Sequence, residues 1–402
     1  MIDHDQIVTS RQKLSAEFVR AVQGPATREV SSRDAQAAAL GQHLHAATAQ
    51  RGLHGTAAAI EVLAQTPGPE AQELTRRLVH YVDDLSTIEQ TSSPLEIPHR
   101  DVRASERNVI KMSEVLYSLA SVTTSLAPRE QLARKIAESL VSNCETDGGW
   151  PYYMTGDHKT SDVVPTAYAT RALASHGYDV SKNVDFLVNS LVKATSDQTD
   201  IFVEVLTIYI LCYLSEGYRR DKELKKPFED TWSRLSPLLN QDVEANIEYL
   251  TDKINYVRIP WQLYLLAAAA HLSPYRRFAS ASAQRRLKSI IQSVLASGGL
   301  LYPHSGRDLS SRTNAILFDV LNKMDDELTI RRLPLTPFVW IERFKSAIAS
   351  RPFRYSVRAV VLGLIVFAVV RWSTSHSKSI ADLAPELLSS ALLILLTGKR
   401  DA

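Results

Sequence analysis

Apolar residues recur along the chain in pairs of helical segments, and the two members of a pair differ in how those residues are arranged. Residues 205–212 read Val-Leu-Thr-Ile-Tyr-Ile-Leu-Cys and are apolar on all sides, whereas the partner segment at 220–238 is charged. A helix that is apolar all round is buried, and a helix with a single apolar stripe lies at the surface. Each pair therefore predicts one inner and one outer helix. Six pairs can be counted, with inner helices that begin near Thr56, Asn108, Thr166, Phe202, Arg258 and Thr313 and outer helices at about 70–84, 129–142, 181–195, 220–238, 277–296 and 334–350.

Two of the inner helices follow a string of paired glycines and aromatic residues. Residues 148–153 read Gly-Gly-Trp-Pro-Tyr-Tyr, residues 298–303 read Gly-Gly-Leu-Leu-Tyr-Pro, and residues 52–63 hold a shorter echo. Self-similarity with a period of tens of residues indicates stacked units that bury their apolar faces against one another. Six inner helices within six outer ones predict an all-α fold, an (α/α)6 toroid. An open α-solenoid of the same pairs is the alternative.

The glycine–aromatic string also resembles a known repeat. Gly-Gly-Trp at 148–150, followed by Pro-Thr-Ala-Tyr-Ala at 165–169, is similar to the repeat of terpenoid cyclases and protein prenyltransferase β-subunits. The resemblance covers roughly residues 50–325 and implies the α/α toroid that those families share.

The resemblance also implies a place for a catalytic acid, and the sequence departs from the family pattern there. Cyclases that protonate an alkene or epoxide share the string Asp-x-Asp-Asp-Thr-Ala, whose middle Asp is the acid. When Thr166-Ala167 is set on its Thr-Ala, Asp162 falls on the first Asp. The other two acidic positions hold Val164 and Pro165, and neither can donate a proton. Asp162 is therefore the candidate catalytic acid, and conventional cyclisation is not expected.

Composition and cysteine usage narrow the classes of function. A formal net charge of +2 over 402 residues gives no field that would attract nucleic acid. Cys144 and Cys212 form no disulfide framework, which suits a reducing cytoplasm. Neither cysteine has the spacing of the zinc-binding Asp, Cys and His set that prenyltransferases share, so we predict no metal and no cofactor. The segment Met1 to Arg11 is polar, and no signal peptide is expected.

The loops that precede the inner helices contain polar residues that are expected to gather at one end of the ring. Helix N-termini at that end offer a positive potential, which favours an anionic ligand such as a phosphate. Aromatic residues of the inner helices, among them Tyr117, Tyr209 and Phe318, would line a central cavity. The alternatives are helix-capping loops and a plain aromatic core. The candidate ligand-binding residues are His54, Asp157, His158, Lys159, Tyr168, Arg258, Trp261, Tyr264, His304 and Arg307.

The C-terminal segment differs in character from the ring. Residues 359–370 form a run of 12 uncharged residues, and a second apolar run covers 387–398. A membrane span needs about 20 residues, and residues 353–373 reach that length when the flanking arginines extend their charges outward. Basic residues before the first run and after the second favour a hairpin whose ends are both cytoplasmic. The alternative is a hairpin that packs on protein.

These observations predict an N-terminal helical segment at 1–50, a toroid at 51–350 and a transmembrane hairpin at 353–402. The favoured function is a cytoplasmic toroid, anchored to the inner membrane by lipid contacts of 353–398, that binds an anionic or isoprenoid-like small molecule or a protein partner. A bacterial sensor–effector of anti-phage defence is one version of it. The alternative is an enzyme acting on an isoprenoid or other lipid, as terpenoid cyclases and prenyltransferases do.

Overall fold

The computed structural model describes residues 3–24, 40, 44, 53–88, 108–122, 127–154, 160–194, 201–214, 222–240, 246–248, 257–259, 261–276, 281–296 and 310–332. The chain divides into two compact units, and the larger one comprises residues 1–273 and 278–328. The smaller unit, 274–277 and 329–402, contributes only the last residues of two helices to the described part. All contacts below lie within the larger unit.

Helices dominate the described residues, and two three-residue strands are the only sheet there. The strands β1 (Asn246–Glu248) and β2 (Val257–Ile259) pair antiparallel, and a 3₁₀ helix covers Ser236–Asn240. The α-helices are α1 (His4–Gln23), α2 (Leu53–Ala64), α3 (Pro69–Ile88), α4 (Val109–Ala120), α5 (Ala127–Ser142), α6 (Val163–Ser175), α7 (Ser181–Ala194), α8 (Ile201–Tyr213), α9 (Lys222–Leu235), α10 (Trp261–Arg276), α11 (Ala281–Ala296) and α12 (Ser311–Arg332).

The even-numbered helices form an inner layer and the odd-numbered helices an outer one. In α4 every residue from Val109 to Leu119 is buried, and α8 is buried from Glu204 to Cys212. The odd-numbered helices alternate between buried and exposed positions, as an amphipathic surface helix does. This arrangement confirms the predicted all-α fold of paired helices. The predicted outer helix at 334–350 lies outside the described residues.

The inner layer closes into a ring. Consecutive inner helices α2, α4, α6 and α8 pack against one another. The rings of Tyr209 and Tyr264 join α8 to α10, and His271 and Asp319 join α10 to α12. The amide of Asn322 in α12 donates a hydrogen bond of 2.7 Å to Gln65, directly after α2. The fold is therefore a closed α/α toroid and not an open solenoid.

The N-terminal helix α1 takes a place in the outer layer. It packs against α2 and lies between α3 and α11. Arg11 forms an ion pair with Asp325 of α12, and Nε2 of His4 lies 2.9 Å from the same carboxylate. Leu40 and Leu44 are buried, while the rest of the second predicted N-terminal helix lies outside the described residues.

The loop before α6 shows why the glycine–aromatic string recurs. Trp150 is fully buried, and its indole nitrogen donates to the backbone oxygen of Leu140 at 2.8 Å. Its backbone nitrogen donates to the Thr166 hydroxyl at 2.9 Å, which joins the loop to the first turn of α6. Asn183 of the next outer helix donates to the backbone oxygen of Gly148 at 2.7 Å. The string therefore binds an outer helix, an inner helix and the next outer helix together.

Two glycines provide a matched test of this packing. Gly148 and Gly177 have positive φ angles of 89° and 78°. A Cβ atom at Gly148 would lie 2.6 Å from the backbone oxygen of Lys182, whereas a Cβ at Gly177 would meet nothing within 4 Å. We expect Gly177→Ala to cost about 1 kcal/mol from backbone strain alone. Gly148→Ala should cost about 3 kcal/mol, because a steric conflict adds to the strain. Urea denaturation measures both, and equal losses would contradict the close contact at Gly148.

No helix among the described residues is long and apolar enough to span a membrane. The predicted hairpin at 353–398 lies outside those residues.

Candidate functional site

Five ionisable side chains from four inner helices meet at the centre of the ring. They line a cavity of about 20 Å³, which exceeds the space that one water molecule needs. Tyr117 and Tyr264 complete its polar wall, and alanines of α2 and α12 leave the space open. We call the five residues the central cluster: His54 and Glu61 of α2, Glu114 of α4, Arg171 of α6 and Arg312 of α12.

Glu114 has two side-chain partners within the central cluster. One carboxylate oxygen is hydrogen-bonded to Nδ1 of His54, and the other lies 2.9 Å from Nη1 of Arg312. Burial alone would raise the pKa of Glu114, but Arg312 and His54 hold it at about 2. Nε2 of His54 is buried and has no hydrogen-bond partner among the described residues. The pair therefore orients the imidazole and leaves its second nitrogen for a ligand.

Glu61 has the opposite electrostatic character. Burial, the largest effect, raises the pKa of its carboxyl to about 8, although Arg171 acts to lower it. Its side chain takes part in no hydrogen bond within the described part of the chain. Glu61 is therefore mostly protonated at neutral pH, and it adds little negative charge to the cavity.

Arg171 is buried among neutral groups. Its Nη1 donates to the Tyr209 hydroxyl at 3.0 Å, and its guanidinium carbon lies 3.8 Å from the centre of the Tyr117 ring. Its Nε is buried without a hydrogen-bond partner in the described residues. Burial raises the pKa of both Tyr117 and Tyr209, so both phenols stay uncharged. Arg171 is thus a buried cation with aromatic and hydroxyl neighbours.

Aromatic contacts hold the wall of the cavity together. The hydroxyls of Tyr168 and Tyr264 lie 3.0 Å apart, and either can donate. The Tyr264 ring makes edge contacts with Phe202 and Tyr209, with ring centres 5.6 Å apart in each pair. The guanidinium of Arg312 lies over Tyr168, 4.5 Å from the ring centre. Such cation–π contacts stabilise charges that water does not reach.

A second pair of a histidine and a carboxylate lies beside the cluster. His271 Nε2 of α10 is 3.2 Å from an Asp319 oxygen of α12. Burial would raise the pKa of Asp319, but His271 holds it below its ordinary value. The rings of Tyr209 and Tyr213 contact the imidazole. This pair joins two inner helices and gives the Asp319 carboxylate a partner.

The structure brings together some of the residues that the sequence singled out. His54 and Tyr264 line the cavity, and Tyr168 contacts the cluster through Arg312. Trp261 is fully buried at the start of α10, and Arg258 lies in β2 opposite Ile247. The predicted loop residues Asp157, His158, Lys159, His304 and Arg307 lie outside the described residues.

Sequence reasoning missed the four charged members of the cluster beside His54. Glu61, Glu114 and Arg171 each interrupt an otherwise apolar inner helix, and Arg312 lies in the first turn of another. A charged residue in a buried helix must find a partner or a ligand, because an isolated buried charge is costly. That rule could have marked these positions from the sequence alone.

Asp162, the candidate acid, lies at the N-terminus of α6. Its carboxylate accepts a hydrogen bond of 2.9 Å from the backbone nitrogen of Val164, as an N-cap residue does. Its backbone pairs with Trp150. A helix cap explains the aspartate without a catalytic role.

Substitution of Asp162 distinguishes a helix-capping role from a catalytic one. As a cap, Asp162→Asn should change the free energy of unfolding by less than about 0.5 kcal/mol, whereas Asp162→Ala should cost about 1 kcal/mol. Thermal and urea denaturation measure these changes. An Asp162→Asn variant that is as stable as the wild type but has lost the function of the protein would restore Asp162 as an acid.

Within the described residues no group of three or more His, Cys, Asp or Glu side chains could hold a metal ion.

The comparisons with known proteins bear on the fold. No protein-family model and no curated protein matches the chain. Among solved structures, cellobiose 2-epimerase from Spirochaeta thermophila DSM 6192 matches with a TM-score of 0.52 and 12% sequence identity, over 80% of this chain and 98% of that chain. The likeness shows the α/α toroid that the glycine–aromatic resemblance implies. Membership of the cyclase and prenyltransferase families stays a prediction.

Proposed function

We propose that the toroid is a ligand-binding protein whose site is the central cluster. The observation that carries this proposal is a cavity in the inner layer whose wall contains five ionisable side chains. Charges buried there cost free energy, and well-packed apolar residues would be neutral or stabilising in their place. Shifted pKa values that collect in a cavity are typical of functional sites. The cost of the cluster is best explained by a ligand that uses it.

The size and polarity of the cavity favour a polar ligand over an isoprenoid chain. A space of about 20 Å³ admits a compact polar group but not an extended hydrocarbon. His54 and Arg312 lie in the first turns of α2 and α12. The segments directly before inner helices hold His158, His304 and Arg307, which could bind the remainder of a larger ligand.

A plugged cavity tests this function. Ala315 lines the cavity, and Ala315→Met should fill it with a flexible apolar side chain. We expect native mass spectrometry of the full-length protein to find a bound cellular small molecule in the wild type and not in this variant. Ala296→Met makes the same chemical change at an exposed position of α11 and should leave the molecule bound. Equal retention by all three proteins would place the ligand elsewhere and contradict the proposal.

A second candidate is an enzyme that transfers protons within the same cavity. A carboxyl with a pKa of about 8 and an imidazole oriented by a carboxylate suit general acid–base chemistry. The similar structure is that of a cellobiose 2-epimerase, so this fold occurs in enzymes. If the protein is an enzyme, Glu61→Gln should abolish turnover of the bound molecule and leave its binding intact. Unchanged turnover would remove Glu61 from the chemistry, and a prenylated or cyclised product would favour the isoprenoid alternative.

We also propose that residues 353–398 anchor the toroid to the cytoplasmic face of the inner membrane. Support comes from the apolar runs and flanking basic residues alone. We expect the full-length protein to sediment with membranes and a Leu364→Arg, Val366→Arg double variant to remain in the supernatant. Sedimentation of neither protein would contradict the anchor. A sensor role in bacterial anti-phage defence rests on this architecture and stays a prediction.

A further inference from the structure

Arg171 lacks a counterion in the part of the chain that the structure describes. Its polar contact is the neutral Tyr209 hydroxyl, its aromatic neighbours are neutral, and no carboxylate there lies within ion-pair distance of it. The side chain is 6% exposed. Arginine keeps its proton in proteins, so the charge cannot be removed by titration. A buried charge without a partner is strongly destabilising.

The acidic groups near Arg171 are either paired with other residues or protonated. Glu114 is shared between His54 and Arg312, and Asp319 is paired with His271. Glu61 is mostly protonated at neutral pH. With both arginines and Glu114 charged, the cavity wall therefore carries an excess of one positive charge before His54 is counted.

We propose that a compact anionic oxygen group of the ligand, a carboxylate or a phosphate, binds in the cavity as the counterion of Arg171. This inference rests on the proposed ligand site and names the chemical class that the site accepts. The Nε–H of Arg171 is a donor without a partner among the described residues, and Nε2 of His54 is a second buried nitrogen without one there. The protonated carboxyl of Glu61 supplies a further donor. Charge-assisted hydrogen bonds of this kind are the strong ones.

The surroundings of Glu61 make the binding dependent on pH. Ionised Glu61 would place a negative charge beside the bound anion and repel it. The groups that act on Glu61 electrostatically are Arg171, Asp319, Glu114, Arg312, Tyr117, Tyr209 and Tyr213. The carboxylates and arginines among them stay charged between pH 7 and 9 and the tyrosines stay neutral, so Glu61 is the acid among these groups that changes over that interval. His54 also lines the cavity, and it is present in both the wild type and Glu61→Gln.

The test uses the full-length protein and small anions. Sodium acetate, sodium phosphate and neutral acetamide are titrated at constant ionic strength, with chloride as the balancing salt, and saturable binding is measured by calorimetry and by the melting temperature. We expect acetate or phosphate to bind and acetamide and chloride not to; which anion binds decides between a carboxylate and a phosphate. Arg171→Gln should weaken the binding at least tenfold. Arg134→Gln removes an exposed arginine of α5 and should leave it unchanged.

The dependence on pH keeps the proposal testable even where Arg171→Gln does not fold. From pH 7 to pH 9 the wild type should lose about tenfold more affinity than Glu61→Gln for the same anion, because only the wild type gains a charge there. Binding of acetamide as well as acetate, or much tighter anion binding by a folded Glu61→Gln variant than by the wild type at pH 7, would overturn the proposal. The second result would make an ionised Glu61 itself the counterion of Arg171, because its removal would free the guanidinium for the added anion. If the cavity holds a neutral cellular ligand, the proposed ligand-binding function is supported and the anionic ligand is refuted. If the cavity is empty and also binds no anion, the ligand-binding function and the anionic ligand are both refuted.

Discussion

Replacement of Glu114 by glutamine is expected to lower the free energy of unfolding by about 3–5 kcal/mol at pH 7, because it breaks a buried ion pair and leaves its cationic partner uncompensated. Both oxygens of Glu114 are engaged, one by His54 and one by Arg312. An amide offers one acceptor and no charge in the same place. Urea denaturation of the full-length protein measures the loss. Glu138→Gln, at an exposed position of α5, is the matched control and should change stability by less than about 0.5 kcal/mol.

The dependence on pH gives the same prediction a second readout. The pKa of Glu114 is held at about 2 in the folded protein, below its ordinary value of 4.5. Its contribution to stability is therefore present above about pH 4.5 and lost as pH falls toward 2, and it amounts to about 3 kcal/mol over that interval. The wild type should lose this amount on acidification and Glu114→Gln should not. Parallel loss of stability in both proteins would show that Glu114 is not paired as described.

The layered architecture could be predicted from the sequence because it follows from local periodicity. Because residues 205–212 are apolar, α8 is expected in the interior. Because α9 carries many charges, it is expected at the surface. The string at 148–153 marks a loop. The positive φ angle of Gly148 and the buried Trp150 are both features of this short segment. Such signals depend on residues close together in the chain, and a single sequence contains them.

The central cluster could not be predicted in the same way, because its members come from four helices. Periodicity places Glu61, Glu114 and Arg171 on inner helices, but only the closure of the ring brings them to one cavity. The pKa of Glu61 depends on burial by residues far away in the chain. The place of α1 in the outer layer is likewise tertiary, since an apolar stripe predicts a partner and does not identify it.

The candidate acid Asp162 and the central cluster are marked by different signals in the sequence. Asp162 corresponds to one acidic position of the cyclase string, and the structure places it at a helix cap. The acidic groups with shifted pKa values in the cavity are Glu61 and Glu114, which lie in α2 and α4 and not in the helix that carries the aligned cyclase string. The signal that marks them is a charged residue inside an apolar helix.

Replacement of Glu61 by glutamine is expected to raise the free energy of unfolding, which is the opposite of its effect at Glu114. The folded protein raises the pKa of Glu61 to about 8 from its ordinary value of 4.5. Folding at pH 7 therefore requires a proton that the unfolded chain does not bind, at a cost of about 3 kcal/mol. Glutamine is neutral in both states and has a similar shape, so the variant avoids this cost. Urea denaturation at pH 5, 7 and 8 measures the difference between the two proteins.

The sign and the pH interval both distinguish a functional carboxyl from a structural one. Because the folded pKa is raised, stability is lost as pH rises from about 4.5 to 8, so the gain from Glu61→Gln should be smallest near pH 5 and grow toward pH 8. If Glu61 were instead the structural counterion of Arg171, the variant would be less stable than the wild type at every pH above 5. Gln72→Glu provides a control, since it adds a carboxyl at an exposed position of α3 and should produce little pH dependence in this range. If glutamine at this position stabilises the fold, Glu61 does not serve stability. Its role is then its effect on a ligand, since activity and stability oppose each other at functional sites.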